Sequence, residues 1–368
     1  VEALGVTQAS KETDTMDVNF YRGKRVFITG HTGFKGAWLC HILRAAGAEV
    51  TGYALAPPTT PNLFDLTGIA ADVHSVIGDI RDLQGLQAAM DSAKPEIVLH
   101  LAAQPIVRES YQSPVYTYET NVMGTVNVLE CVRHCAGVWS VVNVTTDKVY
   151  LNREWPWGYR EHEELKGLDP YSNSKSCSEL VTYSYRHSFF AGRDGVPSLP
   201  VSTARAGNVI GGGDFAKDRI IPDCVRAAVA GKPIIVRNPA STRPYQHVLE
   251  PLFAYLMIAQ RQAEDPALAD SYNVGPDDEG CFATGALVDT FIRAWDGGLQ
   301  RLDQPEPNAA HEANFLKLDC AKLKTVFGWQ PRWTLPIAVQ KTVDWTKCWQ
   351  SGGDLNACMA EQIEEYLG

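Results

Sequence analysis

The sequence predicts an α/β protein, a doubly wound parallel sheet with a smaller C-terminal α/β domain. Three observations carry this. From Lys24 onward, short β-branched runs alternate with longer stretches of helical apolar spacing, the pattern of βαβ units. The candidate strands are apolar throughout rather than alternating, as strands buried on both faces are. A glycine-rich turn, Gly30-His31-Thr32-Gly33-Phe34-Lys35-Gly36, separates the first strand from the first helix, where such sheets meet their ligands.

Val26–Ile28 is the first strand, and Trp38–Ala46 follows with apolar residues at helical spacing. Gly47 turns the chain into a second strand ending at Tyr53, and further strands are expected at Val73–Ile77, Ile97–Leu101, Ser140–Thr145 and Val201–Ala204. Six short apolar strands running one way require helices on both faces. After Arg205 the chain turns to Gly211-Gly212-Gly213, several prolines, a strand-like Pro233–Arg237 and helical stretches at Leu252–Ala263 and Ala286–Ala294. Residues 20–204, with about 248–275, are assigned to a nucleotide-binding domain, and 205–247 with 276–350 to a substrate domain capping the carboxyl edge of the sheet. Residues 1–19 are polar and aperiodic and stand outside this reading, with Met16 taken as a native start.

The charge balance narrows the partners. With 33 Lys and Arg against 43 Asp and Glu, the net charge of −10 disfavours nucleic acid, so an anionic ligand must be met by a local cluster. Nine scattered cysteines without a C-x-x-C pair read as reduced thiols of a cytoplasmic protein. The spacing of Cys131 and Cys135 puts both on one helical face, which calls for packing, and no metal is expected. No run of 18 apolar residues and no secretory leader is seen, so no membrane partner is expected.

The glycine turn is read as a dinucleotide site. Gly30 permits the tight turn, Gly33 lets backbone approach a pyrophosphate and Gly36 lets helix and strand close up, while the helix N-terminus offers amides and a positive dipole. Thr32, Phe34 and Lys35 complete the loop, and His31 is expected to crowd or cap the pyrophosphate. The end of the second strand, Tyr53-Ala54-Leu55, has neither the acid that holds a ribose hydroxyl nor an arginine, which leaves NAD and NADP open. Asp79 and Ile80 are placed at the adenine edge, and Leu101, Ala102 and Ala103 at a close approach of cofactor to backbone.

Tyr171 and Lys175 are four residues apart and share a helical face. About 0.5 such pairs arise by chance in a chain with this many tyrosines and lysines, so position carries the argument. The pair lies beyond the fifth strand, whose end brings Thr146, Asp147 and Lys148, so hydroxyl, carboxylate, ammonium and phenol can converge.

From Lys24 to the C-terminal region the chain resembles the extended short-chain dehydrogenase/reductase family, which has the Rossmann fold. Thr146 followed by Asp147 and a second ionisable group is similar to its nucleotide-sugar 4,6-dehydratases. Together with the glycine loop and Pro57–Phe64, Thr145–Tyr150 looks like the members acting on CDP-glucose.

The resemblance implies NAD-dependent lyase chemistry. Tyr171 takes the sugar 4-hydroxyl proton as hydride leaves C4 for NAD, acid–base groups remove water across C5 and C6, and the hydride returns to C6. Asp147 would protonate the leaving 6-hydroxyl. Lys148 stands where many members have glutamate; it would serve as the C5 base or pair with Asp147. Lys175 would lower the phenol pKa by its charge. The second domain offers anion donors around Arg205–Val209, Asp218–Pro222 and Arg243–Val248. By resemblance Asn208 and Arg243 hold the nucleoside diphosphate, with Arg219 a further candidate. Gln104 and Arg108 follow the fourth strand and either reach the hexose or serve as loop polar groups. A homodimer paired through helices near Asn121–Ala136 and Tyr171–Phe190 is implied, as is a role in deoxysugar synthesis for lipopolysaccharide. A nucleotide-sugar 4-epimerase and a non-catalytic NAD-binding regulator are the alternatives.

Overall fold

A seven-stranded, all-parallel sheet forms the centre of the protein, a computed structural model that describes residues 16–192, 198–305 and 315–368. In chain order β1 is Arg25–Thr29, β2 Glu49–Ala54, β3 His74–Ile77, β4 Ile97–His100, β5 Ser140–Val144 and β6 Val201–Ala206. Next come β7 Asn208–Ile210, β8 Ile234–Val236, β9 Thr242–His247, β10 Ser271–Val274, β11 Cys281–Ala283 and β12 Arg301–Asp303. The large sheet has the order β10-β6-β5-β4-β1-β2-β3. The order reverses between β1 and β4, and it is over such a switch point that doubly wound sheets bind ligands.

The strands read as unbroken apolar runs because both faces are covered. Val26 and Ile28 of β1 join one core with the Phe34–Ala45 and Leu249–Glu264 helices, while Phe27 between them joins the other, with Leu86, Met90, Val128 and Val132. Each such side chain, fully buried, is worth about 1.5–3 kcal/mol. Cys131 lies in this second core and Cys135 packs against it.

All six expected strands are present, and a seventh, β10, pairs with β6. Its sequence Ser-Tyr-Asn-Val lacks a β-branched run because Asn273 turns inward, donating to the Tyr159 carbonyl at 2.8 Å. Residues 16–19 also belong to the fold, contrary to expectation, with Met16 and Val18 packed against the core that holds Val26 and Ile28. Tyr21, in the Val18–Tyr21 turn, is fully buried and donates to the Leu256 carbonyl at 2.6 Å. The rest of that polar segment, to residue 15, lies outside the described residues.

Beyond β6 the chain forms a three-stranded sheet, β11-β9-β7, and a two-stranded one, β12-β8. These share a separate core with the Ile220–Val229, Thr284–Trp295 and Leu335–Gln350 helices, including Ile221, Tyr245, Phe291 and Val339. The last helix, Leu355–Leu367, returns to the first core through Met359, Ile363 and Tyr366. Among the described residues no helix is long and apolar enough to cross a membrane, and no group of three or more His, Cys, Asp or Glu is arranged to hold a metal ion.

Candidate active site

The glycine loop leaves β1 at Gly30, whose φ of +83° is one that side chains rarely adopt. A Cβ there would also meet the Ala102 amide nitrogen at 2.8 Å, so the loop rests on the chain that follows β4. At Gly36 a Cβ would fall 2.1 Å from the Gly30 carbonyl oxygen, so the first helix closes directly on the loop. Gly33 differs: its Cβ would make only an ordinary 3.4 Å contact inside the protein. Internal packing does not require this glycine, which caps the N-terminus of the Phe34–Ala45 helix. Bare backbone before a helix N-terminus is a suitable cradle for a pyrophosphate, so the residues present fit a dinucleotide.

The neighbouring side chains behave differently from their expected roles. The His31 ring is buried, hydrogen-bonded at 2.7 Å to Ser75 and set edge-on to Phe64, in the space a Gly52 side chain would need. It therefore fills the floor beside β2 and does not cap the phosphate loop; burial lowers its pKa to about 4. Thr32 donates its hydroxyl to the Leu55 carbonyl at 2.8 Å, leaving its backbone for a ligand. Asp79 is gripped by Arg81 at 2.7 and 3.0 Å, which holds its carboxyl below the usual range. Ile80 is buried against Gly124. Leu101 and Ala102 donate their amides to Thr29, at 3.1 Å to its carbonyl and 3.2 Å to its hydroxyl. Ala103 follows them as a half-buried residue of the same loop.

Phenol, carboxylate and ammonium groups meet at the ends of β5 and β6. Thr146 caps the short Asp147–Val149 turn and donates to Asp147 Oδ1 at 2.9 Å. Asp147 is completely buried, and its Oδ2 has no hydrogen-bond partner among the described residues. Lys148 Nζ lies 3.4 Å from Asp147 Oδ1 and 3.2 Å from Asn208 Oδ1, so the Asp147–Lys148 pair is made. Tyr171 and Lys175 lie on the Pro170–Ser188 helix, which Asp169 caps by accepting the Ser172 amide at 2.9 Å.

The electrostatics revise one expectation. Tyr171 stands above its ordinary pKa because burial outweighs the favourable charge of Lys148, the Thr146 hydrogen bond and Arg219. Lys148 and Arg219 are the leading cations acting on the phenol, while Lys175 Nζ donates to the Val144 carbonyl at 3.1 Å. Burial lowers Lys175 to about 8, with Glu179 opposing the shift.

Lys35 brings a further cation. Its Nζ reaches from the first helix to within 3.3 Å of the Tyr255 hydroxyl, and burial, then Lys175 and Arg219, lower it to about 7 against the pull of Asp147. Its position in the glycine motif gives no hint that the side chain spans to the catalytic groups.

The substrate-side candidates divide. Arg219 is held by Asp214 at 3.0 Å, which was not anticipated, and its charge reaches Tyr171. Arg243 is buried on β9 and donates to the Thr242 carbonyl at 3.0 Å. Arg108, on the Val107–Gln112 helix, faces Asp218 at 3.9 Å. Gln104 is a loop brace: its amide donates to Thr117 at 3.0 Å and to the Ile106 carbonyl at 3.1 Å and accepts the Ile106 amide at 2.6 Å. With that side chain buried and its partners local, it does not reach a hexose. Arg205 is likewise no anion donor. It lies on β6 and pairs with Glu179 at 2.8 Å, both almost fully buried.

Known proteins resemble this chain in sequence and in fold. Residues 27–342 match the family model described as GDP-mannose 4,6 dehydratase. A CDP-glucose 4,6-dehydratase of Salmonella typhimurium is 48% identical over 96% of this chain and 98% of its own length. A dTDP-glucose 4,6-dehydratase of Streptomyces antibioticus is 29% identical over 87% and 91% respectively. Among solved structures, a UDP-glucose-4-epimerase of Stenotrophomonas maltophila with bound NAD superposes with a TM-score of 0.78 at 20% identity, covering 90% of this chain and 100% of that one. A dTDP-glucose 4,6-dehydratase of Bacillus anthracis in complex with NAD gives 0.72, also at 20% identity, over 90% and 99%. At that identity the superpositions bear on the fold alone. With a family-model match spanning most of its length and a 48% identical relative covered nearly end to end, the chain belongs to the GDP-mannose 4,6 dehydratase family.

Proposed function

We propose that the protein is an NAD-dependent hydro-lyase that converts CDP-glucose to CDP-4-keto-6-deoxyglucose. The observation that carries it is the fully buried Asp147 carboxylate, one oxygen unpartnered, within a Thr146-Asp147-Lys148 turn beside Tyr171 and Lys175. The near-complete coverage of the Salmonella CDP-glucose 4,6-dehydratase supports the substrate.

NAD, when bound, would supply the hydride acceptor for C4 of the sugar and, once reduced, the hydride donor for C6. It would be held by Gly30, Thr32, Gly33, Phe34, Lys35 and Gly36 at the phosphates, by Asp79, Ile80 and Leu101–Ala103 along the sheet edge, and by Tyr171 and Lys175 near the nicotinamide. Tyr171 removes the 4-hydroxyl proton, aided by the Thr146 hydroxyl and the cations Lys148 and Arg219. The resulting 4-ketone acidifies C5–H. Once the Lys148 ammonium has passed a proton to the Asp147 carboxylate beside it, neutral Lys148 takes the C5 proton and the Asp147 acid protonates the departing 6-hydroxyl, so one water leaves and the C5–C6 double bond forms; Lys148 then returns a proton to C5 as C6 receives hydride. Asn208, Arg219 and Arg243 bind the nucleoside diphosphate. An epimerase shares the tyrosine and lysine but has no step for a buried acid at Asp147, so no observation favours that alternative.

The reading extends to organisation. Residues 20–204 with about 248–275 act as the cofactor domain and 205–247 with 276–350 as the substrate domain, a division supported by the separate core around Ile221, Tyr245, Phe291 and Val339, although Leu323, Phe327, Trp329 and Trp345 pack into the first core. The run of β6 to Ala206 supports a boundary slightly later than 204. A homodimer is supported by exposed apolar residues on adjoining helices: Val115, Met123, Leu180 and Tyr183 are all more than half exposed. Nine unpaired thiols support a cytoplasmic location, and the product class fits deoxysugar synthesis for lipopolysaccharide.

The test is incubation with NAD and, separately, CDP-, dTDP- and UDP-glucose and GDP-mannose, followed by mass spectrometry. Loss of one water from CDP-glucose is expected; cofactor binding without water loss from any sugar refutes the reading.

A further inference from the structure

Behind the catalytic groups lies a closed polar assembly that no step of the reaction uses. Glu179 sits one helical turn beyond Lys175, on the same face. Its carboxylate accepts the Thr145 hydroxyl, the Thr203 hydroxyl at 2.7 Å and Arg205 Nη2 at 2.8 Å. Thr145 directly precedes Thr146 and Asp147, so one carboxylate joins the catalytic helix to the turn bearing the proposed acid. Arg205 in turn donates at 2.9 Å to Tyr150, at the far end of that turn, and at 2.8 Å to the Glu161 carbonyl. Tyr150 is anchored on Asn273 at 2.6 Å.

A buried ion pair is not explained by stability alone, since an apolar pair of similar volume is often as stable or more so. Its position is more telling. Lys175 is 4% exposed, and its Nζ has the Val144 carbonyl as an uncharged partner. The groups facing it from packed elements are His100 at the end of β4, which burial keeps neutral, and Lys35 of the first helix, which burial lowers to about 7 so that it loses its charge before Lys175 does. Glu179, one turn along the same helical face, is a buried negative charge that raises the affinity of Lys175 for its proton.

Resting on the proposed function, we propose that Glu179 is a positioning residue of the reaction: through Thr145 it fixes the turn that carries Thr146 and Asp147, and it supplies the counter-charge for the Lys175 ammonium. Arg205 stabilises that carboxylate by pairing with it at 2.8 Å.

The experiment measures NAD affinity by calorimetric titration from pH 6 to 9.5, with no sugar present, for wild type, Glu179→Gln and Glu179→Asp. Wild-type affinity should weaken on the basic side as Lys175 deprotonates near its pKa of about 8. In Glu179→Gln that limb should move down by about one unit or more, the shift expected for loss of a nearby opposite charge. Glu179→Asp keeps the charge and should hold the wild-type limb. If the glutamine variant fails to fold, the neutral pair Glu179→Gln with Arg205→Met is used, because it leaves no uncompensated buried charge. Thr145→Val tests the turn: kcat for water loss should fall about tenfold, with the limb unmoved. A folded neutral variant with the wild-type limb overturns the counter-charge role, and Thr145→Val with kcat within twofold overturns the turn-holding role. Absence of NAD binding in the wild type would instead refute the proposed function.

Discussion

Asp147→Asn separates the two halves of the elimination. The side chain is completely buried, and its Oδ1 accepts from Thr146 at 2.9 Å and faces Lys148 Nζ at 3.4 Å. Asparagine matches its size and still accepts from Thr146, so little structural change is expected, but the amide is a poor proton donor to a leaving hydroxyl. Losing a positioned general acid costs about 10²–10⁴ in rate, or about 3–5 kcal/mol of barrier. The same change alters Lys148. At 3.4 Å and an effective dielectric of about 20, Coulomb's law gives about 5 kcal/mol of attraction as a ceiling. Lys148 is 19% exposed, and solvent screening brings this to about 1–2 kcal/mol, roughly a tenfold easier deprotonation. Water loss, followed by mass spectrometry, should therefore slow by at least about a hundredfold, while deuterium from solvent still enters C5 as fast as in the wild type or faster. An asparagine variant that loses water within threefold of the wild-type rate refutes Asp147 as the acid. One that loses both water release and C5 exchange refutes the division of labour between Asp147 and Lys148.

Other outcomes follow from the same geometry. Gly36→Ala drives a Cβ to 2.1 Å from the Gly30 carbonyl oxygen, so about 3 kcal/mol of stability should be lost and Tm should fall by about 5 °C or more; an unchanged melt would contradict the close packing. Arg219→Gln should raise KM for the nucleotide sugar about 10–100-fold with a smaller loss in kcat, since it removes a charged hydrogen-bonding group; unchanged steady-state KM removes it from the binding site. Leu180→Glu with Tyr183→Glu should convert the proposed dimer to monomers by light scattering, and an unaltered dimeric mass rejects that face as the interface. His31 and His41 are lowered by burial to about 4, and His100 and His247 to about 3, against 6.5 unfolded. The unfolded chain thus binds more protons below that value, so the stability is present above pH 6.5 and lost as pH falls toward 4; thermal melts flat between pH 7.5 and 5 would contradict this.

What was legible in the chain, and what was not, has a common physical reason. The strands β1 to β6 are readable because burial on both faces demands continuous apolar runs, as in Val26-Phe27-Ile28. β10 escaped notice because Asn273 satisfies its polarity through Tyr159, far away in sequence. Tyr171 and Lys175 are readable because helical spacing alone puts them on one face. Gln104, Arg205 and His31 share the residue types of ligand-binding groups, yet each is used inside the protein by partners from other elements: Thr117, Glu179 and Ser75.

The amino-acid sequence by itself determined the order of elements, the glycine loop and the Thr146-Asp147-Lys148 and Tyr171–Lys175 groups, because these depend on local periodicity and on residues near one another in the chain. Only the tertiary structure decided which charges face one another. Lys35 joins Tyr255 across 220 positions, Arg219 leans on Asp214 and toward Tyr171, and Glu179 closes on Arg205 behind Lys175. Electrostatic interactions act through space, and burial multiplies them, so their partners are settled only when distant segments pack.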